Sequence, residues 1–204
     1  MVDVQEKVEV ERTNSKMVES VLKERRQLYL DSTSLLETES SSPQVVQYVG
    51  INVKLGSNVC KWHFTYIGDN TEIGDNTKIG SLVHIDYDVR IGSDCKIEGM
   101  AYIPPLTRIG DRVFIGPGVI FTNDPYPMSD KMIGVTVMDD AIICAGSVLR
   151  PGITVGARSV IGMGAIVTRD VPPDSVVYGN PAHHKYTKDI YLKKKAEWKR
   201  KVGT

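Results

Sequence analysis

The sequence predicts an all-β chain wound as a single-stranded parallel β-helix, a triangular prism with a looped-out insertion and helical terminal segments. Three observations carry this expectation. From Ile67 to Phe121 an aliphatic or aromatic residue falls on every sixth position: Ile67, Ile73, Ile79, Ile85, Ile91, Ile97, Ile103, Ile109, Ile115 and Phe121. Glycine follows at Gly68, Gly74, Gly80, Gly92, Gly110 and Gly116. The residue four after each aliphatic is small or β-branched, as at Thr71, Thr77, Val83, Val89, Cys95 and Ala101. Helices repeat an apolar face every 3.6 residues and half-buried strands every 2, whereas a period of six means a short strand, a turn and a return to the same inward direction. Such units bury their apolar edge by stacking on their neighbours.

The elements follow in chain order. Residues 1–46 form a charged, partly helical arm, with an apolar rhythm at Met17, Val18, Val21, Leu22, Leu28 and Tyr29 that fits a helix from about Ser15 to Leu30. Asn14 is suited to cap it, and Ser40–Pro43 reads as a linker. The arm is suited to covering the first coil, to pairing with another subunit or simply to solvation.

Residues 47–182 hold the repeats. Val49 and Leu55 extend the aliphatic phase upstream, and Lys61 breaks it. Downstream the phase resumes, shifted, at Val137, Ile143, Leu149, Val155, Ile161 and Val167. The interval from Phe121 to Val137 is not a multiple of six, so part of 124–136 must loop out. Three hexads per turn make six or seven coils, each roughly 4.8 Å high, with residues 18 apart stacked. Residues 183–204 are expected to form a basic helix, capped by Thr187, with Trp198 covering the final coil.

Composition narrows the function. Equal numbers of acidic and basic residues, 25 each, leave no overall field for nucleic acid. No apolar run suits a membrane span, and the first residues lack the apolar segment of a signal peptide, so a cytoplasmic protein is expected. Cys60, Cys95 and Cys144 have neither metal nor redox spacing, and no metal is expected.

The hexapeptide ladder, the FTNDPYP segment at Phe121–Pro127 and the GAIVTRDVPPDSVVYGNPA close at Gly164–Ala182 resemble the left-handed β-helix acyltransferases that use coenzyme A. Within these, KLGSNVCKWHFTYIG at Lys54–Gly68 is similar to nucleotide-sugar N-acetyltransferases. The resemblance covers roughly 49–185. It implies a left-handed coil, acetyl-CoA as co-substrate, a nucleotide-linked amino sugar as acceptor, and a homotrimer with sites between adjacent prisms.

Stacking arithmetic points to one acceptor region. Tyr48, Tyr66, His84 and Tyr102 share an outward column just before an apolar corner, and Asp86 and Asn123 lie just after that corner, where the extruded loop leaves. Loops on a rigid scaffold commonly carry function. Asn123 and Asp86 are expected to orient the amine, with His84 as the base if one is needed. Trp62, His63, Tyr66, Tyr102 and Asp124 are the expected substrate-binding residues. Plain cross-coil packing is an equal alternative for the tyrosines, as packing is for His63.

The cofactor track is expected along Cys144, Ala145, Gly146, Gly162 and Gly164, because Gly146 stacks under Gly164 and Cys144 under Gly162. Backbone amides there are suited to a pantetheine arm and a developing oxyanion. Arg169 and Lys185, with Arg150 and Arg158, are expected phosphate partners. The expected reaction is direct attack by a neutral amine on the thioester. A hydroxyl acetyltransferase, which would require a histidine, stays open, as do a γ-class carbonic anhydrase with three histidines on zinc and a non-catalytic scaffold.

Overall fold

The computed structural model describes Lys23 and residues 46–203; the expected helix at 15–30 and its cap lie outside the described residues. The described chain is a left-handed parallel β-helix. Its strands run from β1 (Gln47–Val49) to β21 (His183–Thr187), most of them only two residues long, followed by α1 (Lys188–Val202). Successive strands go to three different faces. The first face stacks β1 with the strands at 65–67, 84–85, 102–103, 120–121, 148–149 and 166–167. The second holds those beginning at 54, 72, 90, 108, 136 and 154, and the third those beginning at 60, 78, 96, 114, 142 and 160, closed by β20 (Ser175–Tyr178) and β21.

Pairing is parallel with an 18-residue advance, as in Tyr66 opposite His84 and Ile85 opposite Ile103. Every sixth aliphatic from Ile67 to Phe121 is therefore turned inward and buried. Removing such a side chain from water stabilises the fold by about 1.5–3 kcal/mol per residue. The positions four later close the corners: Thr71 and Thr77 are buried, and their hydroxyls donate to the Asp86 and Gly92 carbonyls one coil away. Val49 and Leu55, on the first coil, are partly exposed because no described coil stacks below them.

Tight corners require a left-handed residue in each. Among the described residues fourteen non-glycines have positive φ, and eight are Asn or Asp, which tolerate that region through their short polar side chains. Between the second and third faces these residues form a charge ladder. Arg112 holds Asp140 bidentately at 2.8 and 2.9 Å, and Arg158 grips Asp174 in the same way. Arg158, an expected phosphate partner, is thus engaged in cross-coil pairing.

The insertion is measured by register. Ile109 pairs with Val137, 28 residues on, where preceding coils advance 18, so ten residues are extruded between Phe121 and Val135. The neck closes where the Ile133 amide donates to the Asn123 carbonyl at 2.7 Å.

The carboxy-terminal segment departs from expectation. Residues 183–187 are a strand, antiparallel to β20, instead of the first turn of a helix. The free sheet edge of the last coil accepts them as a partner. Thr187 is the N-cap residue of α1 but makes no side-chain cap bond. Trp198 does not cover the final coil: it is 60% exposed, and no residue of α1 is buried. Among the described residues no helix is long and apolar enough to cross a membrane.

Candidate functional site

The aromatic column forms as counted. Tyr48 stacks on Tyr66 with centroids 4.7 Å apart, Tyr66 on His84 at 4.4 Å, and His84 meets Tyr102 at 5.5 Å with a 50° tilt. The 4.8 Å rise of the coil sets these spacings, and each ring pair adds about 0.5–1.5 kcal/mol beyond area burial. Asp86 sits at the end of the column. Its Oδ2 lies 4.0 Å from His84 Nε2 and 3.5 Å from the Tyr102 hydroxyl, which donates to it. Burial, followed by the Asp86 charge, pushes the Tyr102 phenol up, so the hydroxyl keeps its proton as a donor. Nε2 is the ring nitrogen of His84 that faces the carboxylate. His84, Asp86 and Tyr102 thus form one half-exposed group.

Asn123 and Asp124 behave differently. The Asn123 amide donates to Met132 Sδ at 3.1 Å, across the neck of the extruded loop. Asp124 accepts from the Tyr126 and Ser129 amides, each at 3.0 Å, and from the Ser129 hydroxyl at 2.9 Å. These donors hold its carboxyl below the usual carboxylate range. Both residues shape the loop, and their side chains point to loop partners instead of joining His84 and Asp86.

Trp62 and His63 open the corner between the third and first faces. Trp62 borders a shallow cavity with Lys78, Ser81, Lys96 and Glu98. His63 packs near Phe64, with ring centroids 6.3 Å apart. That corner carries a pattern sequence reading missed. Its left-handed position is filled in successive coils by Phe64, Leu82 and Met100, then by Gly118, Gly146 and Gly164. Amide-to-carbonyl bonds join the coils here: Leu82 to His63, Met100 to Ser81, Gly118 to Gly99, Gly146 to Pro117 and Gly164 to Ala145, at 2.9–3.1 Å. The three apolar side chains are 60, 55 and 62% exposed, although a left-handed backbone costs such residues roughly 1–2 kcal/mol. An apolar ridge therefore gives way to a bare lane along one edge of the prism.

The glycines of the expected cofactor track divide into two kinds. A Cβ on Gly118, Gly146 or Gly164 would meet nothing within 4 Å, so the space above them is open. A Cβ on Gly162 would stand 2.6 Å from Tyr178 Cβ, and one on Gly116 2.6 Å from the Ala145 nitrogen. Gly162 is thus required by packing, while Gly146 and Gly164 line the lane. Gly118 belongs with them: the Gly146 amide donates to the Pro117 carbonyl one coil below, a register set by the size of the insertion. The amides of the lane glycines are engaged between coils; among the described residues, those of Ala145 and Met163 have no protein acceptor.

Burial raises the Cys144 thiol pKa, outweighing the opposing pull of Lys188, so the sulfur stays protonated and is a poor nucleophile. Lys185 adjoins the lane's upper end, with Nζ 4.9 Å from the centre of the Tyr178 ring. Arg169 and Arg150 lie at the other corner of the first face, and Arg150 donates to the Thr168 carbonyl at 3.4 Å. The structure does not bring Arg169 to the lane. Among the described residues no group of three His, Cys, Asp or Glu side chains is placed to hold a metal ion.

The fold defines a hexapeptide-repeat β-helix, with an aromatic column ending at His84, Asp86 and Tyr102 on one face and a corner of open glycines. Comparison with known proteins agrees with the repeat class. The bacterial transferase hexapeptide family matches residues 52–87, and the hexapeptide repeat of succinyl-transferase matches 106–151 and 147–169. The chain carries the hexapeptide repeat of these transferases. Galactoside O-acetyltransferase of Escherichia coli (strain K12) is 36% identical over 81 residues, which are 36% of this chain and 40% of that protein. A 2,3,4,5-tetrahydropyridine-2,6-dicarboxylate N-acetyltransferase of Staphylococcus aureus (strain JH9) is 38% identical over 73 residues, 36% of this chain and 30% of that protein. The chain thus spans two fifths or less of the length of these curated relatives. A solved GDP-perosamine N-acetyl transferase from Caulobacter crescentus, in complex with CoA and GDP-perosamine, is 25% identical, covering 70% of this chain and 57% of that one with a TM-score of 0.45.

Proposed function

We propose that this protein is an acetyl-CoA-dependent N-acetyltransferase acting on an amino group of a nucleotide-linked sugar. One observation carries the reading: the His84–Asp86–Tyr102 group shares the first face with a corner bare over three coils, at Gly118, Gly146 and Gly164. The lane is a cradle that any Cβ would narrow, and it suits a thin, flexible arm approaching backbone amides. The curated relatives above are acetyltransferases of both O and N kinds. The likeness of Lys54–Gly68 to nucleotide-sugar N-acetyltransferases favours the amine.

In this reading the thioester arm lies along the lane, and the amides of Ala145 and Met163 are the donors for its polar groups and for the oxyanion. Acetyl-CoA supplies the activated acyl group. The neutral amine attacks the thioester carbonyl, His84 accepts the proton released from nitrogen and returns it to the departing sulfur, and the C–S bond breaks so that the coenzyme leaves as the thiol. Asp86, itself accepting from the Tyr102 hydroxyl, faces the imidazole and helps to orient it. Holding both substrates in line is worth up to about 7–11 kcal/mol of the barrier. The stacked tyrosines offer a flat surface for the nucleotide base. The working form is a homotrimer, with the exposed ridge of Phe64, Leu82 and Met100 available for an adjacent prism.

Thiol release from acetyl-CoA, measured across nucleotide-linked amino sugars and their hydroxyl counterparts, tests the reading. Acceleration by amines with an N-acetyl product supports it. Release driven only by hydroxyl acceptors, or by none, refutes it. Sedimentation equilibrium tests the trimer.

A further inference from the structure

One cluster of nucleophilic side chains lies outside the aromatic column and has no part in the mechanism above. It forms where α1 begins. Lys188 is the first residue of the helix, and its amide donates to the Asp174 carbonyl at 2.8 Å, which ties the helix to the last coil. Its ammonium acts on Asp174, Asp140 and Cys144, all on the prism. Nζ stands 5.1 Å from the centre of the Tyr191 ring, and Tyr191 is in turn within electrostatic reach of Cys144. An amine, a thiol and a phenol from α1 and the third face thus share one half-buried patch.

Several features work against the charged form of Lys188. Partial burial withdraws water from the ammonium, and Lys195, two turns along the same helix, repels it; these hold its pKa below the ordinary lysine value although Asp174 and Asp140 pull the other way. Position acts in the same direction, because Lys188 opens a 15-residue helix whose amino-terminal end is the positive pole of the macrodipole. Among the described residues Lys188 makes no ion pair that would offset this. The other lysines of α1, at 193, 194, 195, 199 and 201, are exposed. The cluster also adjoins the lane. Cys144 is followed directly by Ala145, whose amide has no protein acceptor, and by Gly146, over which space is open.

We infer that Lys188 is a self-acetylation site, acylated on Nζ by acetyl-CoA lying along the lane when no acceptor is bound. The free amine attacks the thioester carbonyl and a C–N bond forms. The C–S bond breaks, the proton released from nitrogen goes to the departing sulfur, and the products are an Nζ-acetyl amide and the free thiol. The modified side chain no longer holds a desolvated cation at the positive end of a helix. This rests on the proposed course of acetyl-CoA along the lane and adds a second amine that the same donor reaches.

The test incubates the whole protein, without acceptor, with acetyl-CoA carrying a deuterated acetyl group, and peptide mass spectrometry reads the label at each residue over time. Lys188 should label at least tenfold faster than Lys193, Lys194, Lys195, Lys199 or Lys201, because a donor held in line outpaces one met in solution. Excess free coenzyme A should slow Lys188 alone, and Gly146→Leu should slow it at least tenfold. p-Nitrophenyl acetate, a small donor that needs no lane, should label Lys188 equally in the parent and in Gly146→Leu, which shows that the variant keeps the lysine in place. Uniform labelling of the exposed lysines overturns the inference, as does label that stays on Cys144. Labelling of Lys188 that ignores both coenzyme A and Gly146→Leu overturns it too, since the acetyl group then arrives from solution. The outcomes separate from those of the parent reading. Acetylation of amino sugars with Lys188 unlabelled keeps the enzyme and removes this site. Lane-dependent labelling with no amino sugar acetylated keeps the site and removes the acceptor.

Discussion

Replacing Gly146 by leucine separates the lane's function from its architecture. Gly146 has a φ of 67°, so leucine there meets the left-handed penalty of roughly 1–2 kcal/mol. No steric cost is added, because a Cβ at this position finds no atom within 4 Å, and the same corner already carries Leu82 at a φ of 62°. For a chain of this size each kcal/mol lowers Tm by about 2–4 °C, so Gly146→Leu should stay folded and melt roughly 2–8 °C below the parent. If the thioester arm runs over this glycine, the new side chain occupies its path. KM for acetyl-CoA should then rise tenfold or more, about 1.4 kcal/mol or greater. Gly116→Ala is the contrast. Its Cβ would lie 2.6 Å from a backbone nitrogen that cannot retreat without moving a coil, so this smaller substitution should cost far more Tm. Differential scanning calorimetry and initial rates read both. A normal KM in Gly146→Leu refutes the lane as the arm's route, and loss of folding refutes the claim that the corner is open.

Four further outcomes follow from the same structure. Ile85→Ala removes a fully buried side chain stacked between Ile67 and Ile103, and urea unfolding should show a loss of about 2–5 kcal/mol. His84→Ala should reduce kcat/KM for amine acceptors less than for any hydroxyl acceptor, whose weaker nucleophile depends on a base worth about 10²–10⁴-fold; equal losses would count against amine specificity. Arg112 and Arg158 hold Asp140 and Asp174 below the usual carboxylate range, so those pairs add stability above about pH 4 that is lost as pH falls through the lowered values. Urea midpoints from pH 6 to pH 2 should therefore decline less steeply in Arg112→Ala/Arg158→Ala. Burial pushes the Cys95 thiol up to about 11, whereas Cys60 is exposed; Ellman's reagent should titrate Cys60 in the native protein and reach Cys95 only on unfolding.

The core was legible because one physical rule generates it. A side chain returning inward every sixth residue identifies each buried aliphatic, and 18-residue stacking then locates the Tyr48–Tyr66–His84–Tyr102 column without coordinates. The size of the insertion was not readable, since it depends on which coil Val137 joins; the pairing with Ile109 supplies that. Nor could glycines be ranked. Gly162 and Gly164 are two residues apart in one turn, but only the backbone shows that the first abuts Tyr178 and the second faces open space. The loop bonds of Asp124 were hidden for a related reason: an aspartate that organises its own loop through Tyr126 and Ser129 looks, in sequence, like one aimed at a substrate. The strand at 183–187 carries no repeat signature, because its partner is a free sheet edge that exists only once the last coil has formed.

The third-to-first corner shows how a repetitive scaffold acquires a site without losing its register. Most left-handed positions elsewhere are Asn, Asp or a residue committed to the Arg–Asp ladder, and each lowers the cost of the turn or bonds to the coil beside it. The side chains of Phe64, Leu82 and Met100 do neither: the residues take the strained conformation and leave those side chains largely in solvent, only their backbone amides bonding to the next coil. Gly118, Gly146 and Gly164 relieve that strain but bond across coils no better than Leu82 or Met100. Coil stability therefore accounts for the glycines' backbone but not for the exposed apolar half of the corner. The proposed function accounts for both, with apolar bulk where an adjacent prism would cover the surface and bare backbone where the thioester arm would pass. On this argument, exchanging Met100 and Gly118 as a pair keeps the composition and the left-handed requirement of the corner. It should nevertheless disturb both ligand affinity and self-association.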